Sequence, residues 1–439
     1  MPLSRSKCAV VVALLAAAAA PVLAQDSRRS LDLTVGGVGI SIGDSRRVNG
    51  LRLNYRDSRL DEVNGINATI WTPYRDGHGD ITGLSLGLPT TGGRRITGLM
   101  AAAFYAEVTE DFAGISIAGL GLAVGDDARG IIIGGLGSGV GGSARGVMIG
   151  GLGSGVDNDI EGVAIGGLGF GVGGRARGIV LGGLGAGIGG DISGLAVGGL
   201  GIGAGGRFTG IMIGGLGVAA GEGGTGALIG GMGAGVGGPF DGLLIGGVGA
   251  GIAGRFRGIA LSGVGMGVGE RFSGLSIAGV GAGVGGDASG VMVNGVGMGV
   301  GGNATGVFIN GFGMGAGGTI RWLSINGFGV GASRIEGVAI AGAAIGTPHA
   351  KGLMLAGWWL RIREEGGRFR GRVVERRDAL FEGVGASAFN QVLGHQKGLT
   401  IGVINYAWSL SGVQLGLLNI VRDNPAGRKV LPIVNWGSR

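Results

Sequence analysis

Cysteine is nearly missing from these 439 residues: the single thiol, Cys8, precedes an apolar run near the N-terminus. A chain body without cysteine has neither disulfides to staple it nor a thiol nucleophile. Histidine is almost as scarce, and His78, His349 and His395 stand far apart with no metal-ligand spacing. Only 8 prolines occur and glycine follows no three-residue period, which excludes a collagen helix. Charged residues make up 14% against 45% apolar, a balance unlike that of a disordered chain. Catalytic signatures are missing too. No Gly-x-Ser-x-Gly elbow sits in a strand-to-helix context. Matches to GxGxxG, as at Gly185 to Gly190, recur too often to mark a nucleotide loop. Ser138 or Ala186 stands where a calcium-binding β-roll needs aspartate. The reading is therefore of a non-enzymatic chain with no cofactor, no metal, no nucleic-acid partner and no evident small-molecule substrate.

What is abundant is glycine, 113 residues of it, set in phase. It recurs every 16 residues from Gly114 to Gly306, and Trp322 takes the next slot. With that glycine as position 1, positions 2 to 4 are apolar-rich and position 6 is glycine. Position 7 runs from Leu136 through Met232 and Val248 to Phe312 and Phe328. Positions 8 and 10 are mostly glycine, position 11 is aliphatic, and positions 14 and 16 carry most of the charge. Glycine this dense excludes helix, since each would cost about 1 kcal/mol relative to alanine. Apolar residues at 15, 2 and 4, then at 7, 9 and 11, predict two short strands with a change of parity at a Gly-Gly corner. Apolar faces at positions 3 and 9, if exposed, would form a patch large enough to need a partner or a membrane.

The fold class is all-β, a repeat protein. The favoured architecture is a parallel β-solenoid of 16-residue coils with a hairpin insertion near the C-terminus. In it, like residues stack into ladders about 4.8 Å apart. Asn294, Asn310 and Asn326, which share position 5, would form one. The alternative is an outer-membrane up-and-down β-barrel, each unit giving a strand of the ~9–11 residues that cross a bilayer. The uniform turns lack the short-turn, long-loop alternation of such barrels.

Five segments follow. Residues 1–24 read as a secretory signal peptide: Arg5 and Lys7, an apolar run from Ala9 to Ala20, and small residues before Gln25. Residues 25–113 form imperfect N-terminal repeats or a cap, and 114–352 form the regular array. Residues 353–397 form the hairpin insertion, centred on Gly366-Gly367, and 398–439 form C-terminal repeats or a cap. An exported chain belongs in the periplasm, the outer membrane or at the cell surface. Losing Arg5 and Lys7 with the signal would take two from the formal charge of +7.

The segment Gly398 to Trp436 resembles a bacterial surface-repeat family built from tandem GLxIGLxN units. The likeness lies in Gly398-Leu-Thr-Ile-Gly-Val-Ile-Asn405, in Gly412-Val-Gln-Leu-Gly-Leu-Leu-Asn419 and in the ending Leu431-Pro432-Ile433-Val434-Asn435-Trp436. It is looser at Val48 to Asn54, and the central units put glycine where the family has asparagine. The resemblance implies an envelope location and supplies no activity. A structural or interaction role follows, with envelope components or membrane as partners. On the barrel alternative, the role is a pore or anchor. Candidate partner-binding residues are Trp358, Trp359, Arg361, Arg363, Arg368 and Arg370, which join aromatics to an arginine cluster.

Overall fold

The computed structural model describes residues 30–74, 78–364, 368–369, 372–373 and 378–438. The signal segment 1–24, Gly366-Gly367 and Arg370 lie outside these residues. The chain divides into two compact units, Met1–Gly205 and Gly206–Arg439, and each is all-β.

In the first unit, a seven-residue strand such as Ala128–Gly134 is followed, after a two-residue corner, by a four-residue strand such as Gly137–Val140. Each long strand pairs in parallel with the long strand one coil away, as in Gly130↔Gly146 and Ile132↔Met148. Short strands pair likewise, as in Gly137↔Gly153 and Val140↔Val156. The chain thus winds as a parallel β-solenoid with two facing sheets, one of long and one of short strands. The second unit repeats the arrangement, with Phe240–Gly246 on Phe256–Ser262 and Gly249–Ile252 on Gly265–Val268. The barrel alternative is overturned, because an up-and-down barrel sets sequence-adjacent strands antiparallel.

The interior is built from positions 15, 3 and 5 of the long strand and 9 and 11 of the short one. Ala176, Val180, Gly182, Ala186 and Ile188 show the set in one coil, all buried. Each fully buried aliphatic or aromatic side chain of this kind contributes about 1.5–3 kcal/mol. Phe240, Phe256 and Phe272 stack at position 15, with ring centroids 6.0 and 5.7 Å apart. The asparagine ladder is present: Asn294 Nδ2 donates to Asn310 Oδ1 and Asn310 Nδ2 to Asn326 Oδ1, each at 2.9 Å.

Two expectations need correction here. Position 3 is buried and positions 2 and 4 face outward. The interior positions 15, 3, 5, 9 and 11 are all odd, so no change of parity occurs between the two strands. The expectation rested on taking apolar for interior, and in this chain the outer surface is apolar as well. The predicted hairpin is also displaced. Trp359–Ile362 is a short coil strand that pairs in parallel with Ala344–Thr347 and with the segment from Phe389 to Val392. The coil resumes at Leu380–Ala386, in register with the strand His349–Ala356. Between them the antiparallel pairs are Arg368↔Val373 and Phe369↔Arg372. Leu360 and Ile362 point into the core, so this stretch joins the coil rather than projecting from it.

Glycine at position 1 has a physical cause. It takes positive φ in coil after coil, for instance +119° at Gly178, where a Cβ would lie 2.1 Å from the carbonyl oxygen of Gly162. Only glycine holds that conformation so close to the neighbouring strand without strain. Antiparallel strands close the arrays: Ser30–Val35 on Val38–Gly43 in the first unit, and Val430–Ser438 on the strand Phe389–Val421 in the second. Arg52 is fully buried beside the first closure, bonded to Asp44, Asp57, Asn67 and the carbonyl of Ser45.

Candidate functional site

The outward positions of the long strand are 16, 2 and 4. Position 16 is charged or hydroxylic, as in Arg129, Arg145, Glu161 and Arg177, whereas positions 2 and 4 are almost uniformly aliphatic. In the first unit Ile115 and Ile117 are 40% and 50% exposed. Position 7 adds a third column at the corner, where Leu136, Leu152, Leu168, Leu184 and Leu200 are each 49–50% exposed. Half a leucine surface is on the order of 80 Å², so this column alone approaches the largest apolar patch of an ordinary monomer, roughly 300–600 Å². The second unit carries the same columns, with Ile211, Ile259 and Ile277 exposed and position 7 passing from Leu216 through Met232 and Val248 to Phe312 and Phe328. The rings of Phe312 and Phe328 stack 4.8 Å apart.

Near its N-terminal end the first unit folds this surface into a groove of about 950 Å³. Ala68, Ala101 and Ala103 line it together with the larger Leu53, Leu86 and Leu88. Polar rims flank the aliphatic columns. Arg175 Nη2 donates to Asp159 Oδ2 at 2.9 Å, and Arg321 Nε to Glu336 Oε2 at 3.0 Å. Both pairs are exposed, so each adds little to stability. The backbone N–H of Arg175, with its guanidinium, holds the Asp159 carboxyl below the usual carboxylate range.

The residues singled out from the sequence fall in the second unit. Trp358 and Trp359 are exposed, and Trp358 lies against Phe389 with ring centroids 5.7 Å apart. Arg361 sits 5.4 Å from the centre of the Trp359 ring. Arg361 and Arg363 line one groove; the backbone of Arg368 pairs antiparallel with Val373. The columns at 2, 4 and 7 escaped the sequence reading, although a signal was there. Position 16 carries charge and so belongs in solvent, and 2 and 4 share its parity.

No His, Cys, Asp and Glu cluster fit to hold a metal ion occurs among the described residues. No family model matches the chain, and no curated protein or solved structure matches it.

Proposed function

We propose that the chain is an exported, non-enzymatic scaffold of the bacterial envelope that lies with its aliphatic columns against a lipid surface. The observation that carries this reading is the outward row of aliphatic side chains at positions 2, 4 and 7 in both units. Column 7 also favours lipid over a second copy. Its side chains pass from leucine to methionine, valine and phenylalanine, yet exposure stays between 45% and 57%. A packed protein interface is sensitive to each methylene. A fluid hydrocarbon surface asks only for apolar area, and the flanking arginines would meet anionic headgroups.

The test is flotation of the full chain with vesicles of phosphatidylethanolamine and phosphatidylglycerol. Co-flotation is expected, with at least a ten-fold loss when Leu136, Leu152, Leu168 and Leu184 are all replaced by glutamine. A discrete dimer in light scattering, with the chain left at the bottom of the gradient, would overturn the lipid reading in favour of self-association.

A further inference from the structure

Position 10, outward on the short-strand sheet, is glycine in nearly every regular coil. In the second unit the parallel register runs Gly315↔Gly331↔Gly346 and then reaches Arg361. A Cβ at Gly315 or Gly346 would meet nothing within 4 Å, so bare backbone leads up to the arginine. One column over, interior bulk shrinks: Val300↔Ala316↔Ala332, with Thr347 in the following coil. Together these changes open a groove of about 840 Å³, walled by Ala316, Ala332, Thr347 and Pro348 and reached by Arg361 and Arg363.

Two arginines, Arg361 and Arg363, and one carboxylate, Glu364, line this groove. Arg145, Arg175 and Arg321 each face a carboxylate one coil away. Neither Arg361 nor Arg363 has an ion pair among the described residues. Glu364 also lines the groove and has an interaction of its own. Arg361 Nε is sealed from solvent and donates no hydrogen bond, and Oε1 of its register partner Gln391 is likewise sealed without a donor. The Trp359 ring steadies the guanidinium without neutralising it. Two arginines facing one polar groove match the planar, two-pronged geometry of an oxyanion.

We propose that this groove binds an oxyanion, a phosphate or carboxylate, borne by a polar molecule of small-ligand size. The site stands apart from the lipid reading, because position 10 and the columns at positions 2 and 4 face outward from opposite sheets of this unit. Inorganic phosphate and glycerol phosphate are the probes, titrated calorimetrically into the full chain. The decisive variant is Arg361→Gly, which restores the residue that Gly331 and Gly346 hold and should leave the melting temperature unchanged. Phosphate affinity is expected to fall at least ten-fold in Arg361→Gly and several-fold in Arg363→Gln. If the phosphate comes from a lipid headgroup, Arg361→Gly instead weakens binding to phosphatidylglycerol vesicles and spares binding to phosphatidylcholine. Binding of neither phosphate nor anionic vesicles that responds to Arg361→Gly, or a lowered melting temperature showing that Arg361 serves only to brace Gln391, would overturn the proposal.

Discussion

The outer surface of the long-strand sheet and that of the short-strand sheet enclose one core, yet their compositions are opposite. One presents Ile, Leu and Val at positions 2 and 4, and the other presents glycine at positions 8 and 10. Within the coil the choice is unforced at positions 2, 4 and 10. Positions 2 and 4 take no part in the interior, and at Gly187 a Cβ would meet nothing within 4 Å. Position 1 is different in kind, because there the backbone itself demands glycine. Glycine in this chain therefore has at least two meanings, one imposed by the fold and one left to the surface.

The sharpest test sets those two meanings against each other. Gly178→Ala should cost roughly 3–5 kcal/mol, combining a strained left-handed residue with a clash against a neighbouring carbonyl. Gly187→Ala, nine residues later, should be neutral or stabilise by about 0.4–1 kcal/mol through a stiffer unfolded chain. Denaturant unfolding of the two variants checks both. Equal losses would mean that the short-strand face is as constrained as the long strand's glycine slot.

The second test uses the exception at position 1. Trp322 occupies that slot with φ +85° and is 69% exposed. Trp322→Gly should relieve about 1–2 kcal/mol of backbone strain, visible as a raised unfolding midpoint. A drop instead would show that its exposed ring makes a contact worth more than the strain.

The smallest effect belongs to the rim. The Asp159 carboxyl has its pKa lowered in the folded state by the backbone N–H and then the guanidinium of Arg175. Its stabilisation is therefore complete above the ordinary carboxylate range and fades as the pH drops through the lowered value. Asp159→Asn should flatten the acid limb of the stability profile slightly. It should change little at neutral pH, as befits an exposed pair.

Much of this architecture is legible in the sequence, and the misreadings share one cause. The period, the phased glycine and the Asn294–Asn310–Asn326 ladder depend on which residues recur, and recurrence is visible without coordinates. Direction is not. Ile131 and Ile133 read as interior because solvent-facing strands are normally polar. Their parity with Arg129 carried the answer, but a hydrophobicity rule outweighed it. At Trp359–Ile362 the alternation of Arg361 and Arg363 with Leu360 and Ile362 fits a hairpin and a coil strand equally well. Only its parallel register with Ala344–Thr347 separates the two. For the same reason, a groove that needs Gly346 beside Arg361 cannot be seen until the coils are stacked.

The antiparallel strand Val430–Ser438 has a consequence for growth. A stack of parallel coils is a template that can recruit further chain, coil on coil, into a fibre. This strand runs against the grain of the stack, its Pro432 removes one amide donor, and Ile433 turns to φ +65° beside it. A parallel newcomer would find neither the direction nor the unbroken row of donors it needs. The strand thus presents an edge of reversed direction, short of one amide donor, to anything that would add a further parallel coil.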